Sequence, residues 1–169
     1  MILVIKYALL VMLLLMSLIS DVKTRKIKNL IVFPFMLMGI LIGLCETGAM
    51  GALNSICGII LPILILFPLF VLQMLGAGDI KCFSAIGAIM GAGFVAESII
   101  YSFIAGGVIA FIIMSINRNA LERIKHLLNF IKTCILTLSI TQYDDLRRSK
   151  GAFRFTYAIA AGIVAQITI

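Results

Sequence analysis

Long hydrophobic runs separated by short polar intervals fill almost the whole chain. Apolar residues dominate six segments, at about 2–20, 29–45, 51–75, 80–95, 98–116 and 153–169. A helix needs about 20 apolar residues to cross the hydrocarbon core of a bilayer, so the pattern predicts about six transmembrane helices, of which the fourth is short. The sequence therefore predicts an all-α integral membrane protein.

The first run also resembles a secretory signal in its length. However, it has no basic segment before its apolar core and no small-residue cleavage site of the Ala-x-Ala kind. Because further spans follow it, we expect the run at 2–20 to be retained as the first transmembrane helix.

The interval at about 117–150 has a different pattern. Apolar residues recur there at steps of three and four, with basic residues between them. This spacing is typical of an amphipathic helix, and we expect one on the cytoplasmic membrane surface. Partial insertion of residues 127–140 into the bilayer is the alternative interpretation.

The amino-acid composition also indicates an integral membrane protein. Hydrophobic residues make up 63% of the chain and charged residues 12%, against about 45–50% and about 25% in soluble domains. No polar stretch is long enough to form a core of its own, so residues 1–169 are expected to be a single polytopic membrane domain. The four cysteines form no C-x-x-C pair and there is one histidine, so neither a metal site nor any other cofactor is predicted.

The basic residues indicate an orientation. Thirteen of the fourteen lie between runs one and two, between runs three and four, or between runs five and six, counting the first residues of runs four and six, and the exception is Lys6 in the first run. The loops at about 46–50 and 93–97 contain no Lys or Arg. The positive-inside rule then makes the basic loops cytoplasmic and leaves both termini outside. Membrane topology explains the net charge of +7, and nucleic acid is not an expected partner.

Asp21 and Asp79 are the candidate functional residues. A carboxylate at the edge of a bilayer core costs several kcal/mol unless it is partnered or hydrated, and the chain has only seven acidic residues. Both are predicted at the cytoplasmic interface, where they would face each other if helices one and four pack together. Two such carboxylates share a proton, and one can activate water while the other polarises a carbonyl. The neighbouring Gly76 and Gly78 would allow close approach of an extended substrate.

Each aspartate also has an ordinary interpretation. Asp21 alone could be a solvated charge beside the membrane. Asp79 alone could pair with Lys81 or cap a helix. Their joint placement favours the catalytic hypothesis.

Two motifs at these positions resemble those of the type IV prepilin peptidases. Residues 76–81 read Gly-Ala-Gly-Asp-Ile-Lys and match the G-x-G-D-x-K motif of that family of membrane aspartyl proteases. Asp21, followed by a basic loop, Ile27 and Asn29, is similar to the family's first aspartate with its D-x-x-x-x-x-I-P-N continuation. Lys28 stands where the family usually has proline.

The resemblance implies an activity. Asp21 and Asp79 would activate water to cleave the leader of prepilin-like membrane substrates at the cytoplasmic face of the bacterial inner membrane. Gly76, Gly78 and Lys81 would support the motif or bind substrate. Larger members carry a cytoplasmic insert with paired C-x-x-C motifs after the first helix. This chain has none, so it is similar to the short, peptidase-only branch, without N-methyltransferase activity.

Other functions stay open at this point. A small cation- or proton-coupled transporter could use the same carboxylates, although they are predicted at one membrane face and the chain shows no inverted repeat. A noncatalytic subunit of a pilus or secretion system is the other alternative. The expected partners are a prepilin-like substrate and the lipid bilayer, and homo-oligomerisation is left undecided.

Overall fold

The computed structural model describes residues 1–24, 27–72, 74–116 and 155–168. The described residues form helices without any strand, which confirms the all-α prediction. In chain order the helices are α1 (Ile2–Thr24), α2 (Asn29–Thr47), α3 (Ala49–Val71), α4 (Ala77–Met90), α5 (Ala92–Ile116) and α6 (Phe155–Thr168). The predicted amphipathic helix at 117–150, including the alternative insertion of 127–140, lies outside the described residues.

Four of these helices are long and apolar enough to cross a membrane: α1, α2, α3 and the Ala92–Ile113 part of α5. Many of their large apolar side chains are exposed, for example Leu15, Phe33, Leu64 and Ile104. Lipid tails cover such side chains in a bilayer, and the helices satisfy their own backbone hydrogen bonds. The protein is therefore a multi-pass membrane protein. The 14-residue helices α4 and α6 are about 21 Å long, which is shorter than the hydrocarbon core.

Helix α4 forms the centre of the fold. All eight residues from Cys82 to Ile89 are buried, and α4 packs against α1, α2, α3 and α5. Helix α6 packs on α5 and α1. An apolar helix that is buried on every side has no amphipathic stripe, which explains why the hydrophobic pattern alone does not mark α4 as central.

Glycine allows α4 to approach its neighbours closely. The backbones of Gly58 on α3 and Gly87 on α4 touch, and a Cβ built on either residue would overlap the carbonyl of the other. Likewise, a Cβ built on Gly39 of α2 would overlap the backbone of Ala88 on α4. Small residues at such crossings are typical of membrane helix packing, where close van der Waals contact replaces the hydrophobic driving force.

Gly91 marks a helix boundary that the hydrophobic pattern misplaced. It has φ 96°, a left-handed conformation that favours glycine, and α4 ends there instead of continuing to about residue 95. Helix α5 accordingly begins at Ala92, whose N–H donates to the Asn54 side chain at 3.2 Å. Glu97, expected in a loop, is helical. The apolar residues after Gly91 continue the run, so hydropathy hides this boundary.

The third run is also shorter than predicted. Helix α3 ends at Val71, not at 75, and α4 begins at Ala77, not at 80. The chain between them brings Gly76 to the N-terminus of α4. Helix α2 continues through Pro34, and α3 continues through Pro62 and Pro68.

Candidate active site

The contact between α1 and α4 places the two aspartates at one end of the bundle. The Cys82 thiol on α4 donates a hydrogen bond to the Ser17 hydroxyl on α1, with 3.8 Å between the two atoms. Asp21 lies one turn after Ser17, and Asp79 lies one turn before Cys82, each on the same helix face as its neighbour. The helices are antiparallel there, so both aspartates lie at the same end of the bundle, which we name the aspartate end, and the charge of Asp21 acts on Asp79.

Asp79 lies in the first turn of α4, where backbone groups hold its carboxylate. The Gly76 N–H donates to Asp79 Oδ2 at 3.2 Å, and the Asp79 N–H donates to the Gly76 carbonyl at 3.1 Å. This is half of a capping box, because glycine has no side chain for the reciprocal bond. A Cβ on Gly76 would stand 3.2 Å from Asp79 Oδ2. The glycine therefore leaves room for the carboxylate.

The surroundings of Asp79 favour its protonated form. Asp79 lies outside the four helices that are long enough to span the membrane. The pKa of Asp79 is raised from 3.8 to about 6: burial is the largest cause, the Gly76 N–H acts against it by lowering the pKa, and the nearby charge of Asp21 adds to the rise. Desolvation and a like charge both disfavour a second carboxylate. Asp79 is thus suited to donate a proton near neutral pH.

The two sequence motifs form one contact surface. Lys81 Nζ donates to Asn29 Oδ1 at 2.8 Å. A Cβ built on Gly78 would lie 3.3 Å from the Ile27 side chain, which is buried. Ile27 and Asn29 are therefore docked on the first turns of α4. Lys28 has φ −73°, a value that proline also adopts, so lysine here preserves the backbone direction that proline would impose.

Helix α6 adds a residue that the sequence reasoning missed. The Thr156 hydroxyl donates to Asp21 Oδ2 at 3.2 Å, and Thr156 is buried in the first turn of α6. The two residues are 135 positions apart, and no motif surrounds the threonine. One feature of the sequence could have pointed to Thr156. It is a hydroxyl residue at the start of the run at 153–169, and that run was predicted to begin at the same membrane face as the aspartates.

The two aspartates differ in how far their surroundings fit an ordinary structural role. Asp21 is half-buried and hydrogen-bonded to Thr156, which differs from a fully solvated charge. Lys81 bonds to Asn29. Among the described residues the one ion pair joins Lys6 and Glu46 on α1 and α2, so no Asp79–Lys81 pair forms there. Asp79 does take part in capping α4, as the capping alternative predicted.

A scan against protein-family models matches residues 8–111 to the type IV leader peptidase family. The matched segment covers more than half of the chain and includes Asp21 and Asp79. The chain belongs to the type IV leader peptidase family.

Membership of this peptidase family confirms the resemblance that the two motifs carry. The family match runs from α1 into α5, so α6 and Thr156 lie beyond it. A comparison with curated proteins found no match, and a comparison with solved structures found none either.

Proposed function

We propose that this protein is a membrane-embedded aspartyl endopeptidase that cleaves the leader peptide of type IV prepilin-like proteins. The observation that carries the proposal is that Asp21 and Asp79 lie at one end of the bundle, where the charge of Asp21 contributes to the raised pKa of Asp79, in a member of the leader peptidase family. Asp21 and Asp79 supply one base and one acid, which are the groups that amide hydrolysis by activated water requires. Gly76, Gly78 and Lys81 support the motif that holds Asp79.

We place the cleavage at the cytoplasmic face of the bacterial inner membrane, with both termini outside. Lys23, Lys28 and Lys81 are at the aspartate end, whereas Glu46 and Glu97 lie toward the other ends of their helices. The positive-inside rule supports this orientation. It also suits a substrate whose basic leader lies in the cytoplasm, next to the hydrophobic segment that remains in the membrane.

We propose peptidase activity without N-methyltransferase activity. Helix α1 ends at Thr24 and α2 begins at Asn29, so the connection is too short to contain a folded insert. Ile27 in this connection and Asn29 at the start of α2 contact Gly78 and Lys81 at the start of α4.

The first test is the removal of each carboxylate. Asp21→Asn and Asp79→Asn should each lower prepilin cleavage by on the order of 10³-fold or more, because acid and base act as a unit. Wild-type and variant proteins would be co-expressed with a prepilin from the same organism, and processing followed by the mobility of the pilin on a gel. Membrane insertion of the variants should equal that of the wild type.

Glu97→Gln is the matched control, since it removes a carboxylate at the opposite end of the fold and should leave cleavage unchanged. Full processing by either aspartate variant would contradict the dyad mechanism. Proton flux into vesicles, measured with the wild type and accompanied by no cleavage of any prepilin, would instead support the transporter alternative.

A further inference from the structure

The two aspartates have different hydrogen-bond partners. Asp79 accepts from a backbone N–H, that of Gly76. Asp21 accepts from a side-chain hydroxyl, that of Thr156, which belongs to a helix outside the segment matched to the family. Each carboxylate thus accepts one hydrogen bond at 3.2 Å, and both bonds favour the ionised form. Asp79 differs in that its burial outweighs this effect and raises its pKa to about 6, so the two carboxylates are not equivalent sites for a shared proton.

We propose that Thr156 is a positioning residue that holds Asp21 as the ionised base and so leaves the shared proton on Asp79, the acid. This inference rests on the proposed function and assigns the two aspartates separate roles within it.

The Thr156 hydroxyl has the position and the surroundings for this role. A donated hydrogen bond stabilises a carboxylate more than the neutral acid. Thr156 is only 3% exposed, so bulk water cannot replace its hydroxyl if the side chain loses it. The hydroxyl occupies Oδ2 of Asp21, and we therefore assign the other oxygen, Oδ1, to the reacting water.

Few other charges surround Asp21 on the described elements. On α2, Glu46 lies at the end away from Asp21. Lys28, which directly precedes α2, is the charged residue nearest to the start of that helix. Lys81 on α4 is bonded to Asn29. The ionisable groups near this end, among the described residues, are Lys23, Lys28, Asp79, Lys81, Cys82 and the exposed Tyr157.

The assignment gives a balanced reaction. Oδ1 of Asp21 takes a proton from water, the hydroxide oxygen bonds to the scissile carbonyl carbon, and Asp79 gives its proton to the carbonyl oxygen. A neutral gem-diol results. Asp21 then gives its proton to the amide nitrogen as the C–N bond breaks, and Asp79 recovers a proton from a gem-diol hydroxyl. A carboxylic acid and an amine leave, and both aspartates return to their starting states.

The test compares Thr156→Val with Thr156→Ser. Valine has nearly the shape of threonine without the hydroxyl, whereas serine keeps the hydroxyl and loses a methyl group. With purified protein in lipid vesicles and a prepilin substrate, the valine variant should lose about tenfold to a hundredfold in kcat, with little change in KM. The acid limb of its pH profile should move to higher pH, because Asp21 ionises less readily. The serine variant should restore most of kcat and the wild-type limb.

A wild-type pH profile for the valine variant would overturn the inference. Equal losses in the valine and serine variants, with unchanged profiles, would also overturn it, because that result indicates packing alone. Thr168→Val changes an exposed threonine of the same helix and should leave both kcat and the profile as in the wild type.

A second measurement needs no substrate. The C=O stretch of protonated carboxyl groups would be titrated by infrared difference spectroscopy, with Asp21→Asn and Asp79→Asn identifying the bands. In the wild type, the last proton to be released as pH rises should come from Asp79. In Thr156→Val this proton should be shared, so that part of the signal of the protonated form appears at the Asp21 band. If Thr156→Val shows this shift but the wild type cleaves no prepilin, the positioning role is retained and the proposed function is rejected. Cleavage by the wild type with no shift would remove the positioning role alone.

Discussion

The burial of Asp79 has a cost in stability that depends on pH. Its pKa is raised to about 6, chiefly because the fold buries it. Between pH 3.8 and 6 the folded protein keeps a proton that the unfolded chain has released. The stability contributed by the protonated form is therefore lost as pH rises through this window, and the ionised carboxylate destabilises the fold above it.

Asp79→Asn should consequently stabilise the protein, and more so at higher pH. We expect a gain of up to about 3 kcal/mol near pH 7.5, and about one third of that near pH 4.5, for a shift of two pKa units. Thermal unfolding in detergent at the two pH values would measure it, with Glu97→Gln as the control. An equal gain at both pH values would show that the effect is unrelated to the ionisation of Asp79.

The Lys81–Asn29 hydrogen bond gives a second prediction at this scale. Lys81→Met and Asn29→Ala should each lower cleavage by about tenfold, because bonds to charged groups contribute about 1.5–3 kcal/mol. The double variant should lose no more than the worse single variant, since one bond is removed in each case. Lys23→Met, a change of an exposed lysine on α1, should have little effect. Multiplicative losses in the double variant would show that the two residues act separately.

The sequence motifs identified the candidate residues, but not their partners. The motifs single out Asp21, Asp79 and Lys81 because the residue types and spacing are local properties. The bond from Thr156 to Asp21 joins residues 135 positions apart. Such a contact depends on how α6 packs against α1, and the pattern of a single run contains no information about it.

At the scale of elements, α4 is held by backbone contact at glycines. The Gly58–Gly87 crossing leaves no space for a side chain on either helix. Glycine is frequent in this segment, but only the structure shows that Gly87 forms the contact and that Gly91 ends the helix. Packing and helix termination are different uses of the same residue type, and they depend on the surrounding helices and on φ.

Gly87→Ala should therefore destabilise the protein by about 1–3 kcal/mol, as expected for overpacking in a close-packed interior. Gly107→Ala is the matched control, because a Cβ there meets no atom within 4 Å and alanine favours the helix. Thermal unfolding of both variants in detergent would compare them. Similar unfolding temperatures for the two variants would contradict the close α3–α4 crossing.

At the scale of the whole molecule, the central position of α4 connects the motif at residues 76–81 to most of the bundle. The first turn of α4 carries Asp79 and Lys81, while its remaining turns pack against α1, α2, α3 and α5. Helix α6 closes the other side of Asp21 through Thr156. Three separate parts of the chain thus meet at the aspartate end. Their hydrogen bonds fix the positions of the side chains there.

The proposed orientation can be tested with single cysteines. In a protein with its four cysteines replaced by alanine, Lys28→Cys would mark the aspartate end and Met50→Cys the opposite end, since both positions are exposed. A membrane-impermeant maleimide added to intact bacterial cells should label Met50→Cys, and should label Lys28→Cys only after the cells are opened. The reverse pattern would contradict a cytoplasmic active site.

The sequence by itself determined the membrane class, the all-helical fold and the candidate aspartates. A bilayer requires long apolar runs whose backbone bonds are satisfied within the helix, and a motif is a local arrangement of residue types, so both can be read along the chain. Only the tertiary structure decided that α4 is the central helix, that burial raises the pKa of Asp79, and that Thr156 bonds to Asp21. Burial and hydrogen bonding between helices depend on atoms contributed by distant segments, and these come together only in the folded protein.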